Sequence, residues 1–252
     1  LFTELHLPHD RAQELQLFEE VLAEQRRRDE LAARQAEETA RARREQEVRQ
    51  REAIARDESR RLKTKYGVDW YEDDSPLYPI LLDLEGGREL SDSDETWLNR
   101  NRLFPVLAFH YERVGLLARA GSYWRKAQNP ERALRITDNE RVQNNSPVLT
   151  MRGGAFRDLN DLDSAERCGF SAIKLSPEDY HPYNLLGAVY YQRGLPEQGD
   201  QYFQMAVALG SEEEDESIQS ALEKAAADEK KRVAEHLLKR DAARFAWARS
   251  HL

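Results

Sequence analysis

Four positions, Gly153, Phe156, Ala165 and Ala172, return 34 residues later as Gly187, Tyr190, Gly199 and Ala206. Upstream, Gly121, Trp124 and Ala133 stand 32 residues ahead of Gly153, Phe156 and Ala165. A self-similar period of this length means a small supersecondary unit that buries its apolar face only by stacking on copies of itself. The spacing predicts two antiparallel helices per unit. A small residue lets the pair approach, an aromatic three residues on fills the space between neighbouring units, and a second small residue meets the return helix. Turn chemistry falls between the helices each time, in Gln128-Asn129-Pro130-Glu131, Asn160-Asp161-Leu162-Asp163 and Gly194-Leu195-Pro196-Glu197. Pro130 and Pro196 suit the first positions of second helices, where a missing N–H costs nothing. Pro147 and Pro182 do the same for first helices, and Pro177 closes the middle unit.

On these residues the chain resembles the tetratricopeptide repeat family over about 100 of its 252 residues. The middle unit, about 146–179, matches through Leu149, Gly153, Phe156, Ala165, Ala172 and Pro177. The third, about 180–213, matches through Tyr183, Leu186, Gly187, Tyr190, Phe203 and Ala206, and the first, about 114–145, through Leu117, Gly121, Trp124 and Ala133. Arg152 departs where a leucine is usual, Gly169 where an aromatic is usual, Gly199 where an alanine is usual, and Ser211 replaces the closing proline. The resemblance implies a short all-α solenoid whose first helices line a concave face that takes an extended peptide. The positions it implies are Arg125 and Lys126; Thr150, Arg157 and Asp158; and Asn184, Tyr191 and Gln192. Arg125, Lys126 and Arg157 would form a positive strip suited to an acidic segment or a chain-end carboxylate through charge-assisted hydrogen bonds.

Charge is concentrated elsewhere. Residues 24–65 hold 14 Lys/Arg and 10 Asp/Glu, a net +4 against −9 for the chain, which leaves −13 on the remainder. No Gly or Pro occurs from His9 to Tyr66, and Ala, Arg, Glu and Gln, all strong helix formers, dominate. Acid-first pairs at four-residue spacing recur, among them Glu24→Arg28, Glu37→Arg41 and Glu52→Arg56, each worth about 0.2–0.5 kcal/mol to an isolated helix. A helix over about 11–65 follows, capped by Asp10 with Gln13 and stopped by Gly67. Leu15, Phe18, Val21 and Leu22 give its first turns an apolar face, and Val48, Ala55 and Leu62 trace a short heptad. A solvated arm and a coiled coil, with itself or another chain, both fit. Interleaved acids argue against a phosphate-tracking surface, which needs segregated positive charge.

Between arm and repeats, residues 66–113 read as a small connecting subdomain. Its expected features are a short helix over Leu77–Leu84, a Gly86-Gly87 turn, a cap at Ser91 or Ser93 and a helix opened by Pro105. Trp70, Tyr71, Tyr78 and Trp97 are expected in its core. The repeats occupy 114–211. Residues 212–249 read as one long or bent capping helix, started by Ser211 with Glu214 and striped by Ile218, Leu222, Ala225, Val233 and Leu237. Phe245 and Trp247 serve there either as partner contacts or as buried capping residues.

Catalytic and ligand signatures are missing from the sequence. There is no Gly-rich phosphate loop, no His-Glu-x-x-His, and the six histidines are scattered. One cysteine, Cys168, builds neither a zinc cluster nor a disulfide framework and suits a reducing compartment. Asp158–Asp163 has carboxylates at calcium-like spacing without the glycine and closing glutamate that such a loop needs. No secretory leader or membrane-spanning run is visible. The chain opens on Leu1 rather than Met, which suits an interior segment of a longer protein. The sequence therefore predicts an all-α, cytoplasmic, non-catalytic protein-interaction module. It has no cofactor or metal, the repeat groove is its binding face, and the arm over 11–65 serves positioning or homo-oligomerisation. The alternative is a helical regulatory or nucleic-acid-engaging segment of a larger enzyme or complex.

Overall fold

A computed structural model describes residues 7–72, 76–138, 144–212 and 215–252, and every regular element among them is helical. The chain divides into two units, residues 1–61 and 62–252. Helix α1 runs from Leu7 to Lys65, starting before Asp10 because Pro8 is harmless in a first turn. The expected Asp10–Gln13 cap involves side chains outside those described. Along 16–54, α1 carries its apolar residues in solvent: Phe18, Val21, Leu31, Val48 and Ile54 are all exposed. Its cohesion is local. Arg28 pairs with Glu24 at 3.1 Å as the spacing predicts, while Arg41 pairs forward with Glu45 at 3.0 Å.

Leu62 belongs to the second unit, where it is fully buried, so the 48–55–62 trace does not form a free seam. Gly67 ends the helix in the left-handed region at φ +67°. The Gly67 N–H donates to Thr64 O and the Val68 N–H to Lys63 O at 2.8 Å, which satisfies the last carbonyls and folds Val68 back onto Leu62.

The next helices, α2 (Leu77–Glu85), α3 (Asp92–Arg100) and α4 (Phe104–Arg113), share one core with the end of α1. Ser91 caps α3 in a reciprocal box with Asp94, and Pro105 stands in the first turn of α4. Leucines fill this core: Leu77, Leu81, Leu98, Leu103 and Leu107 are fully buried. The aromatics expected there stand at its edge instead. Trp70 is 57% exposed and meets Tyr71 edge-on, while Tyr78 and Trp97 are only partly buried.

Three helix pairs follow: α5 (Leu117–Lys126) with α6 (Pro130–Ile136), α7 (Ser146–Asp158) with α8 (Leu162–Leu175), and α9 (Tyr180–Gln192) with α10 (Pro196–Ala208). One turn joins each pair. Gln128, Asn160 and Gly194 all take positive φ. Each next N–H donates to the carbonyl of the repeat's aromatic position: Asn129 to Trp124, Asp161 to Phe156, and Leu195 to Tyr190, each at 2.9 Å. The small positions mark real approach. A Cβ on Gly153 would stand 2.3 Å from Leu185 Cδ2 and 3.1 Å from the Ala165 carbonyl oxygen. On Gly199 it would stand 2.3 Å from the Tyr191 ring. The departures from the repeat pattern have local causes. Arg152 donates to Leu134 O at 3.1 Å and Thr137 Oγ1 at 3.0 Å, closing the C-terminal end of α6. Leu186 fills the space beside Gly169, where a Cβ would lie 2.6 Å from its Cδ2.

The C-terminal segment is three pieces rather than one helix: α11 (Asp215–Lys224), α12 (Ala227–Arg240) and a 3₁₀ turn over Ala246–His251. Glu214 of the expected Ser211 cap lies outside the described residues. Breaks at Ala226 and Asp241, both extended, let the apolar stripe of each piece face a common core. Ile218, Leu222, Val233, Leu237 and Phe245 are fully buried with Tyr191 and Phe203. Asp241 accepts from the Ala243 and Arg244 N–H groups and turns the chain back, which takes Phe245 into this core and out of reach of a partner.

Candidate partner-binding groove

The first helices α5, α7 and α9 pack side by side, and residues of all three line a common groove. Two depressions open there. The larger, about 420 Å³, is lined by Arg119, Ser122, Arg125, Thr150, Met151 and His181. The smaller, about 210 Å³, shares Arg125, Thr150 and His181 and adds Gly154, Arg157, Asn184 and Ser217. Ser217 comes from α11, so the C-terminal segment forms a wall of the groove as well as covering α9.

Electrostatics concentrate at the smaller depression. Arg125 Nε donates to Asp158 Oδ2 at 2.7 Å, and Lys224 of α11 pairs with the other oxygen of the same carboxylate. Gly154 makes the Arg125 geometry possible, since a Cβ there would sit 2.2 Å from the guanidinium Nη1. Arg157 is buried beside them. Its Nη2 has a long 3.4 Å contact to Ser220 Oγ, and its Nε has no hydrogen-bond partner among the described residues. Burial, reinforced by the charge of Arg125 and opposed by Asp158, pulls the Arg157 guanidinium down to about 10. Burial also works against ionisation of Asp158, yet the hydrogen bonds and charges of Arg125 and Lys224 hold its carboxyl below the usual range.

Of the residues expected in the groove, Arg125, Thr150, Arg157 and Asn184 converge on it. Lys126 turns outward, with Nζ 5.1 Å from the Tyr123 ring centroid and 5.7 Å from that of Phe104. Tyr191 and Gln192 are buried and committed internally. The Tyr191 hydroxyl donates to Asp200 at 2.5 Å, within a network that also takes His236 and Arg240 from α12. Gln192 donates to Asn160 Oδ1 at 3.1 Å. Asp158 serves as the counter-charge that holds Arg125 in place.

Sequence reasoning missed Arg119, Ser122, His181, Ser217 and Lys224. The first two share the face of Arg125 at helical spacing and were findable by extending its stripe one and two turns back. Ser217 and Lys224 were not findable, because only tertiary packing brings α11 alongside α7. Among the described residues, no group of three or more His, Cys, Asp or Glu side chains is placed to hold a metal ion. No described helix is long and apolar enough to cross a membrane.

Fold and groove together define an all-α protein of stacked helix pairs, with arginines lining a groove along its first helices. In comparison with known proteins, no family model matches the chain and no curated protein matches it.

Proposed function

We propose that the chain is a non-catalytic protein-interaction module of the cytoplasm. The concave face of α5, α7 and α9 holds an extended partner segment, and α1 positions or oligomerises the module. The observation that carries this reading is the run of two confluent depressions along three consecutive first helices, ending at Arg125 and Arg157. The repeat spacing supports it, because the resemblance to tetratricopeptide repeats implies the same face. The chemistry of the face supports it too. Arginines offer planar forks for backbone carbonyls and carboxylates, Ser122, Thr150 and Asn184 add small polar groups, and Met151 supplies an adaptable apolar floor.

Segments selected from a displayed random library against the full chain test this. Ser122→Arg and Thr150→Arg, which fill the groove from partly exposed positions, are expected to weaken a selected segment at least about tenfold, the equivalent of about 1.4 kcal/mol. Undiminished binding to both variants, with their thermal stability intact, would overturn the groove as the binding face.

A further inference from the structure

The inner end of the groove has a charge imbalance that an extended peptide backbone does not answer. Three cations, Arg125, Arg157 and Lys224, converge on one carboxylate, Asp158. Among the described residues, Asp158 is the one carboxylate paired with this group, so the three cations share a single negative charge. Arg157 is buried with Nε unpartnered. A buried cation that shares its one counter-charge with two other cations is a costly arrangement in a folded chain. Asp179, which accepts from the His181 N–H at the start of α9, lines the larger depression and not this inner one. The depression beside the cations, about 210 Å³, is several times the volume of one water and carries the Ser217 and Asn184 side chains on its walls.

We propose that this inner depression is a binding site for a tetrahedral dianion, a phosphoryl group, with α11 completing it. A phosphate monoester carries about −1.5 to −2 at neutral pH and three acceptor oxygens, so one such group answers two of the cations that share Asp158. A single carboxylate answers one. The assignment rests on the groove reading, since the site is the inner end of the same face. It also gives α11 a role beyond covering α9. Lys224 holds Asp158 from the far side, and Ser217 and Ser220 bring hydroxyls toward the arginines. The source of the dianion is either free phosphate or a phosphorylated side chain on the bound segment, and the arms of the test separate them.

The full chain is titrated with inorganic phosphate, sulfate and acetate at matched ionic strength, followed by thermal unfolding and by amide chemical shifts of Gly154 and Ser217. Phosphate and sulfate are expected to raise Tm and shift these amides, with acetate weaker by at least about tenfold. Ser217→Glu, which places a carboxylate at the mouth, and Arg125→Gln are each expected to abolish the gain. Equal effects of acetate and phosphate, or a phosphate gain that survives Ser217→Glu, overturn the proposal. In a second arm, a library-selected segment is compared with its phosphoserine form. Tighter binding of the phosphoserine form, lost in Arg125→Gln, assigns the dianion to the segment, and equal binding assigns it to free phosphate. Segment binding without any response to phosphate or phosphoserine sinks the dianion site and leaves the groove reading standing. A phosphate response with no segment binding does the reverse.

Discussion

Replacing Gly199 with alanine adds one methyl group where α9 and α10 cross. The new Cβ would stand 2.3 Å from Tyr191 Cδ2, 2.7 Å from Cε2 and 3.0 Å from the Gly187 carbonyl oxygen. Neither neighbour has slack. Tyr191 is fully buried and its hydroxyl is tied to Asp200, so the ring cannot swing aside, and the Gly187 oxygen is helix backbone. Overpacking of this kind costs about 1–3 kcal/mol. Alanine returns about 1 kcal/mol through helix propensity. The two terms leave a net loss of about 0–2 kcal/mol, and because the clash is with fixed atoms the upper end of that range is expected. At about 2–4 °C per kcal/mol for a unit of this size, Tm falls by several degrees. Gly154→Ala is the internal control: its Cβ meets the far end of the Arg125 side chain, which can move away. That variant is expected to keep or slightly raise Tm while loosening the Arg125–Asp158 contact. Thermal and urea unfolding of both variants, followed by far-ultraviolet circular dichroism, check the pair. A Gly199→Ala protein as stable as the parent would refute the reasoning that these glycines exist for close helix approach.

Arg152→Leu restores the residue usual for the repeat pattern but removes the charged donor to the Leu134 carbonyl and the Thr137 hydroxyl, which keep only their bonds to each other and to Ala133; a loss of about 1 kcal/mol is expected, with faster amide exchange confined to the α6 end. Asp158→Asn leaves Arg125, Arg157 and Lys224 without their shared counter-charge and is expected to cost about 1–3 kcal/mol at neutral pH. The Asp158 carboxyl is held low in the folded chain, so its stabilisation is present above the unfolded value of about 4 and disappears as pH falls through the folded one. The gap between parent and variant in urea unfolding is therefore expected to close below about pH 4, and a gap that stays open would contradict the ion-pair account. A peptide of residues 16–60 is expected to be strongly helical alone, because its length far exceeds the about 12–15 residues at which isolated helices are marginal and its ion pairs are local. A random-coil spectrum would show that α1 depends on something other than its own sequence.

Local and periodic features of the fold were legible in the sequence. The recurrence of Gly153 and Gly187 located the helix pairs because close approach demands a small residue at a fixed register. Ser91, Gly67, Pro130 and Pro196 marked helix ends because caps and prolines act within a single turn. What tertiary packing decides was not legible. The breaks at Ala226 and Asp241 carry no glycine or proline, and they exist because Phe245 and Leu222 seek the same core. Trp70 was expected inside as an aromatic, but leucines from four helices fill that space. In the groove, Arg125, Thr150, Arg157 and Asn184 are among the positions that the resemblance to tetratricopeptide repeats implies, and they line the smaller depression. The resemblance implies Tyr191 and Gln192 as well, but α11 and α12 cover the end of α9, where both are buried. Lys126 lies one residue past Arg125, about 100° around the helix, and so faces the aromatic rings of α4 and α5.

The direct measurement for the groove is amide chemical-shift mapping of the isotope-labelled full chain with a library-selected segment bound. Shifts concentrated at Arg119, Ser122, Thr150, Gly154 and Asn184 are the predicted result. Shifts confined to α1, or to the outward faces of α8 and α10, would contradict a concave binding face built by the first helices of the three pairs.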